Sequence, residues 1–217
     1  MAATKLSLYN GALRHLGQGK LSAIDEGVEN RRLLDDIYDD QAIKTVLEMG
    51  LWNFAMRTVK VEYDTSIEPD FGLRRAFSKP TDWVRTAEAA SDEHFTTPLI
   101  DLEFRDEQGY WFADIDSIYV RYVSDDDEYG SDLSLWPLSF VKCFEWFLAW
   151  ELTPRLAENK TSQDEVWKML QDQLKNARSK DALNEGVKFP PAGGWASARG
   201  GFRRGRRDLG SRSNLTG

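Results

Sequence analysis

Residues 4–17 place Leu6, Tyr9, Leu13 and Leu16 at steps of three and four, the stripe of a helix that buries one face, with Gly17 as its C-terminal stop. After a linker in which Leu21, Ala23 and Ile24 dock on the core, a second helix is predicted from Glu29 to Met49. Leu34, Ile37, Tyr38, Thr45 and Met49 lie on one side of it, and Ile43, Val46 and Leu47 on another. Its apolar face therefore turns partway along, as it would in a helix serving two neighbours. Gly50 ends it, and Trp52 and Phe54 follow at the exit.

From Thr58 the period becomes two. Val59, Val61 and Tyr63 alternate with Lys60 and Glu62, the pattern of a half-buried strand. Pro69, Gly72, Pro80 and Pro98 then punctuate segments too short for long helices. Residues 99–105 and 110–123 flank Glu107-Gln108-Gly109 and read as a hairpin, its second arm alternating Ile118, Val120 and Tyr122 with Tyr119, Arg121 and Val123.

An acidic loop, residues 124–132, precedes the strongest helical signal, residues 135–153. There Trp136, Phe140, Cys143, Phe147 and Trp150 fall within about 80° of arc. Phe144 and Trp146 widen the stripe, and Lys142 and Glu145 lie opposite. Pro154 ends or kinks this helix. Ser162 with Glu165 reads as the capping box of a last helix, with Val166, Leu170, Gln173, Leu174 and Ala177 inward and Lys168, Gln171, Asp172 and Lys175 outward.

These elements predict an α+β protein, mainly an α-helical bundle with a small antiparallel β insertion and an extended C-terminal arm. Residues 1–57 supply N-terminal helices, 58–123 the β-rich insertion, 124–186 the helices completing the bundle, and 187–217 a basic docking arm. The arm changes the picture most. Lys188 and six arginines against Asp208 give it a formal +6; with −8 on the whole chain, residues 1–186 carry −14. Its few apolar anchors stand among glycines and arginines, so it should order only on something else. One cysteine, Cys143, excludes an intramolecular disulfide framework and fits a reducing compartment. The opening residues lack the apolar core of a signal peptide, and no run reaches the roughly 18 apolar residues that span a bilayer. A soluble protein made in a cytoplasm is the expectation, with no membrane partner.

Motif-borne chemistry is thin. The patterns GxxxxGK[ST], HExxH, CxxC and GxSxG do not occur, so no catalytic, cofactor or metal residue is assigned and a non-enzyme is expected. Asp125, Asp127 and Gly130 imitate the start of a calcium loop, but Tyr129 and Trp136 stand where oxygen ligands belong. His15 and His94 each lack a nearby Cys or second His. With 36 acids, some carboxylate pair is unavoidable in space and so uninformative.

The arm has two readings. Arg-Gly-Gly at 199–201 and Arg-Arg-Gly-Arg-Arg at 203–207, interleaved with Trp195 and Phe202, suit nucleic acid, with rings on bases and guanidiniums on phosphates. Docking on protein suits them equally, because arginines also grip carboxylates and the aromatic residues fill pockets. A −14 body repels DNA beside the arm, which favours protein. The partner-binding residues are then Phe189, Pro190, Trp195, Arg199, Phe202, Arg203, Arg204, Arg206, Arg207 and Arg212.

Leu13-Arg-His-Leu-Gly17, Leu21-Ser-Ala-Ile24, Glu29-Asn-Arg31 and Gly50-Leu-Trp-Asn-Phe-Ala55 resemble the head-to-tail adaptors of short-tailed bacteriophages, the tail tubular protein A type. Pro80-Thr-Asp-Trp-Val-Arg85, Ile118-Tyr-Val-Arg-Tyr122, Trp136-Pro-Leu-Ser-Phe140 and Glu151-Leu-Thr-Pro154 look like related tailed-phage adaptors and gene-transfer connectors. The resemblance implies a structural virion protein, made in a host bacterial cytoplasm, that forms a ring of copies, a dodecamer by expectation, between the capsid portal and the tail. Its partners would be the portal protein, neighbouring copies, the tail nozzle and tail fibres, with DNA passing through unbound. The arm is longer and richer in arginine than the plainest members lead one to expect. The alternatives are a nucleic-acid-binding protein acting through its tail and a virion-associated cell-wall hydrolase.

Overall fold

The computed structural model describes residues 3–69, 72–100, 103–107, 109–156 and 160–184, with only the backbone described at 160–162. Helix α1, Lys5–His15, is capped by Thr4, whose hydroxyl accepts from the Ser7 N–H while the Ser7 side chain takes the Thr4 N–H. It closes on Gly17 at φ 66°, with the Gly17 N–H on the Arg14 carbonyl and the Gln18 N–H on the Leu13 carbonyl, a Schellman ending. The linker then returns along α1. The Asn10 amide donates to the Leu21 carbonyl at 3.2 Å and accepts from the Leu21 N–H at 2.7 Å.

The second predicted helix is broken. Helix α2 runs Glu29–Ile37 and α3 runs Ile43–Glu48, and between them Asp40 and Gln41 leave helical geometry, Gln41 at φ 59°. The kink falls where the apolar face changes side, so each half buries its own stripe: Leu34 before it, Ala42, Val46 and Leu47 after it.

Six strands follow: β1 Met56–Glu62, β2 Arg75–Ser78, β3 Trp83–Ala90, β4 Phe104–Glu107, β5 Tyr110–Ala113 and β6 Ser117–Ser124. They form two antiparallel sheets of order β1-β6-β3 and β2-β5-β4. Phe77, Trp111 and Ala113 of one sheet meet Ala89, Ile118, Val120 and Tyr122 of the other in a separate core. Helices α4, Leu138–Leu156, and α5, Lys160–Ala182, complete the described elements.

The expected bundle with a small β insertion is thus corrected to a mixed α+β fold, 43% helix and 21% strand, in which the strands make two sheets with a core of their own. The single predicted hairpin divides: β4 and β5 pair from Glu107↔Tyr110, and after residues 114–116 the chain enters the other sheet as β6 between β1 and β3. The helical core gathers α1 to α5 around the aromatic α4 and takes in Val84 and Val123 from one end of the first sheet. Helix α4 carries Pro154 within its last turn and runs on to Leu156. Helix α5 begins before Ser162, which is therefore not its N-cap.

Candidate interaction surface

The arm residues assigned to partner binding, Phe189, Pro190, Trp195, Arg199, Phe202, Arg203, Arg204, Arg206, Arg207 and Arg212, lie outside the described residues. Within them, four of the eight stretches that carry the resemblance meet in two pairs, residues 50–55 with 136–140 around Phe140 and residues 80–85 with 118–122 around Asp82. Phe140 is the hub. Its ring meets Trp52 at 4.8 Å and Phe54 and Trp136 at 4.7 Å, all edge-on, the geometry that aromatic quadrupoles favour. Both buried indoles are satisfied, Trp52 on the Val46 carbonyl and Trp136 on the Gly130 carbonyl. Gly50 lies so close to the Trp52 ring that a Cβ there would press on it at 2.8 Å.

On the first sheet lies Asp82, its carboxylate accepting from Arg57 of β1 at 2.9 Å and from Tyr122 and Ser124 of β6 at 3.0 and 2.5 Å. Burial would raise its pKa, but the bonds from Ser124, Arg57 and Tyr122 outweigh burial and hold the carboxyl below its ordinary value. The Asp82 carbonyl also accepts from the Asp125 N–H. Arg57 reaches Asp126 at 3.9 Å, and Lys44 reaches Asp125 at 3.5 Å. The acidic loop therefore spends two of its charges on the protein's own cations, and Trp136, which occupies a ligand position of the calcium pattern, is buried in the core.

A second polar cluster joins α1 to α4. Glu145, expected on the solvent face, is only 8% exposed. Its carboxyl lies across Gly11, where a Cβ would overlap it. Arg14 and His15 approach the same oxygen, Oε2, at 3.3 and 3.4 Å, while the imidazole stacks on Trp146 at 3.9 Å. This clasp fixes two helices to each other. A carboxylate and an imidazole are brought together, but the neighbouring Thr153 hydroxyl donates to the Ala149 carbonyl at 2.7 Å. Sequence reasoning left His15 without a partner because Glu145 is 130 positions away. His94 is exposed beside Glu93, and Cys143 is buried, which pushes its thiol up to about 12.

Apolar side chains reach the surface at two places on the helices. Trp167 and Met169 are exposed on α5. At the other end of the α4–α5 pair, Leu138 lines a groove with Lys142 and Lys180, and Leu135 and Leu183 are exposed close by in sequence. Among the described residues no helix is long and apolar enough to cross a membrane, and no group of three or more His, Cys, Asp or Glu could hold a metal ion. No protein-family model matches the chain, and no curated protein matches it.

Proposed function

We propose that the chain is a structural connector of a phage virion, a ring component that joins the capsid portal to the tail around the DNA path. The observation that carries this reading is the pairwise meeting in space of four of the resemblance stretches. Gly50 to Ala55 meets Trp136 to Phe140 through the Phe140 ring, and Pro80 to Arg85 meets Ile118 to Tyr122 through the Asp82 carboxylate, each pair far apart along the chain. Their side chains serve cohesion rather than chemistry, as suits a part that must hold its shape under load. The charge division adds support: an acidic body suits a conduit that must not retain DNA, and an arm reaching at most ~100 Å would cross a subunit to grip a second chain, summing to avidity around a ring.

Deleting residues 187–217 and measuring attachment to portal-bearing capsids tests the reading. Loss of attachment is expected, and unaltered attachment overturns the docking role. The Arg-Gly repeats favour a second reading, a nucleic-acid tail. That reading requires DNA binding by the intact protein that weakens steeply with salt and disappears in the truncation.

A further inference from the structure

Building on the ring reading, we propose that neighbouring copies meet head to tail, the acidic elbow between α2 and α3 of one copy seating in the groove between the start of α4 and the end of α5 of the next. The groove holds about 310 Å³ and is lined by Leu138, Lys142, Gln173, Asn176, Ala177 and Lys180, among others. Its apolar surface is uncovered. Leu138, its large apolar lining residue, is 71% exposed. Two lysines border it, neither forms an ion pair among the described residues, and no carboxylate lines it. On a body of net charge −14 this is a local reversal of sign, and its complement is an acidic surface.

The elbow supplies that surface. The Asp39 side chain, 3.5 Å from Lys5 Nζ, is still 71% exposed, and Asp40 and Gln41 are exposed with it where the helix breaks. Asp40 forms no ion pair among the described residues and instead faces a like charge, Glu151 of α4, whose carboxyl is raised by burial first and by Asp40 second. A lysine from outside would relieve that repulsion. Glu151 stands 13 residues along α4 from Leu138, roughly 20 Å at 1.5 Å per residue, so elbow and groove are separate sites and one copy can use both at once. A contact between two different surfaces repeats from copy to copy and closes into a ring when its rotation allows.

The test reverses charge on each side. One variant carries Lys142→Glu and Lys180→Glu, the other Asp39→Lys and Asp40→Lys, with far-UV circular dichroism and melting to establish that each is folded. Lys180→Glu and Asp40→Lys alone replace any double variant that is not. Assembly is read by sedimentation of the free proteins and by imaging on portal-bearing capsids. The wild type should assemble, each variant alone should associate about tenfold more weakly or worse, and an equal mixture should recover, since each reversed surface then meets its opposite. Variants that assemble like the wild type, or a mixture that does not recover, overturn the elbow–groove pairing and leave the ring reading standing. A wild type that stays monomeric both free and on the portal overturns both.

Discussion

The helical core and the β unit are held together in different ways. Around α4 the cohesion is aromatic and apolar, with Trp52, Phe54, Trp136 and Phe144 within ring contact of Phe140 or of one another. Between the sheets, large side chains are fewer and polar atoms are shared. The Thr86 hydroxyl accepts from both Trp83 and Trp111. Lys79, with its side chain 5% exposed, lies 3.7 Å over Trp83 while its ammonium pairs with Asp106 and donates to the Glu107 carbonyl. Asp82 gathers three donors at the seam. A continuous 19-residue helix can bury enough apolar surface to hold itself. The four-residue strands of the second sheet bury less each, and satisfied polar ties add to the small core between the sheets.

The largest effect that should separate the two regions is at Phe140. Phe140→Ala removes the hub and should cost about 3–5 kcal/mol, a fall in Tm of roughly 6–20 °C, with amides of α1 and α4 losing hydrogen-exchange protection before those of β5. Equal loss in both regions would mean that they unfold as one unit. Next comes Asp82→Asn, at about 1.5–3 kcal/mol near neutral pH. Because the folded-state pKa of Asp82 is lowered, its contribution is complete above the unfolded value of about 3.9 and is lost as pH falls through the folded value. Denaturant titrations at descending pH should therefore show wild type and variant converging in acid, and a constant gap would contradict the role given to the carboxylate. Smallest is Lys79→Met, which keeps the stem on Trp83 and frees a partly exposed Asp106 that water can serve. About 1 kcal/mol or less is expected from thermal melts, and a larger loss would place more of the sheet cohesion on that ammonium.

The same contrast explains what the sequence revealed. The inner face of α5 is buried as the spacing indicates, at Val166, Leu170, Leu174 and Ala177, and the turning apolar face of the second helix marks its kink. On α1, Leu6 and Leu16 are only partly buried, while Leu8, Gly11 and Ala12 are buried. Small residues weigh little in a hydrophobic pattern, yet they let α4 approach closely. Strand β2 is four residues long and set among glycine and proline, and β3, though eight residues long, carries two register shifts that break alternation, so neither shows as a period of two. The partners of Asp82 and Glu145 come from distant sequence, so local spacing holds no trace of them. Of the candidate site, the arm is visible only as composition, while the groove at Leu138 and Lys180 needs the packing of two helices to exist.

Asn10 gives the linker a ladder one rung long. By offering Leu21 both a donor and an acceptor, a side chain on a helix reproduces the exchange of an antiparallel strand pair. A primary amide carries both halves side by side on one planar group. A carboxylate at position 10 would turn a lone pair toward the Leu21 carbonyl, and an apolar residue would answer neither group. The route by which the chain leaves α1 and heads for α2 is thus written in the chemistry of a single residue, as a key is cut for one lock.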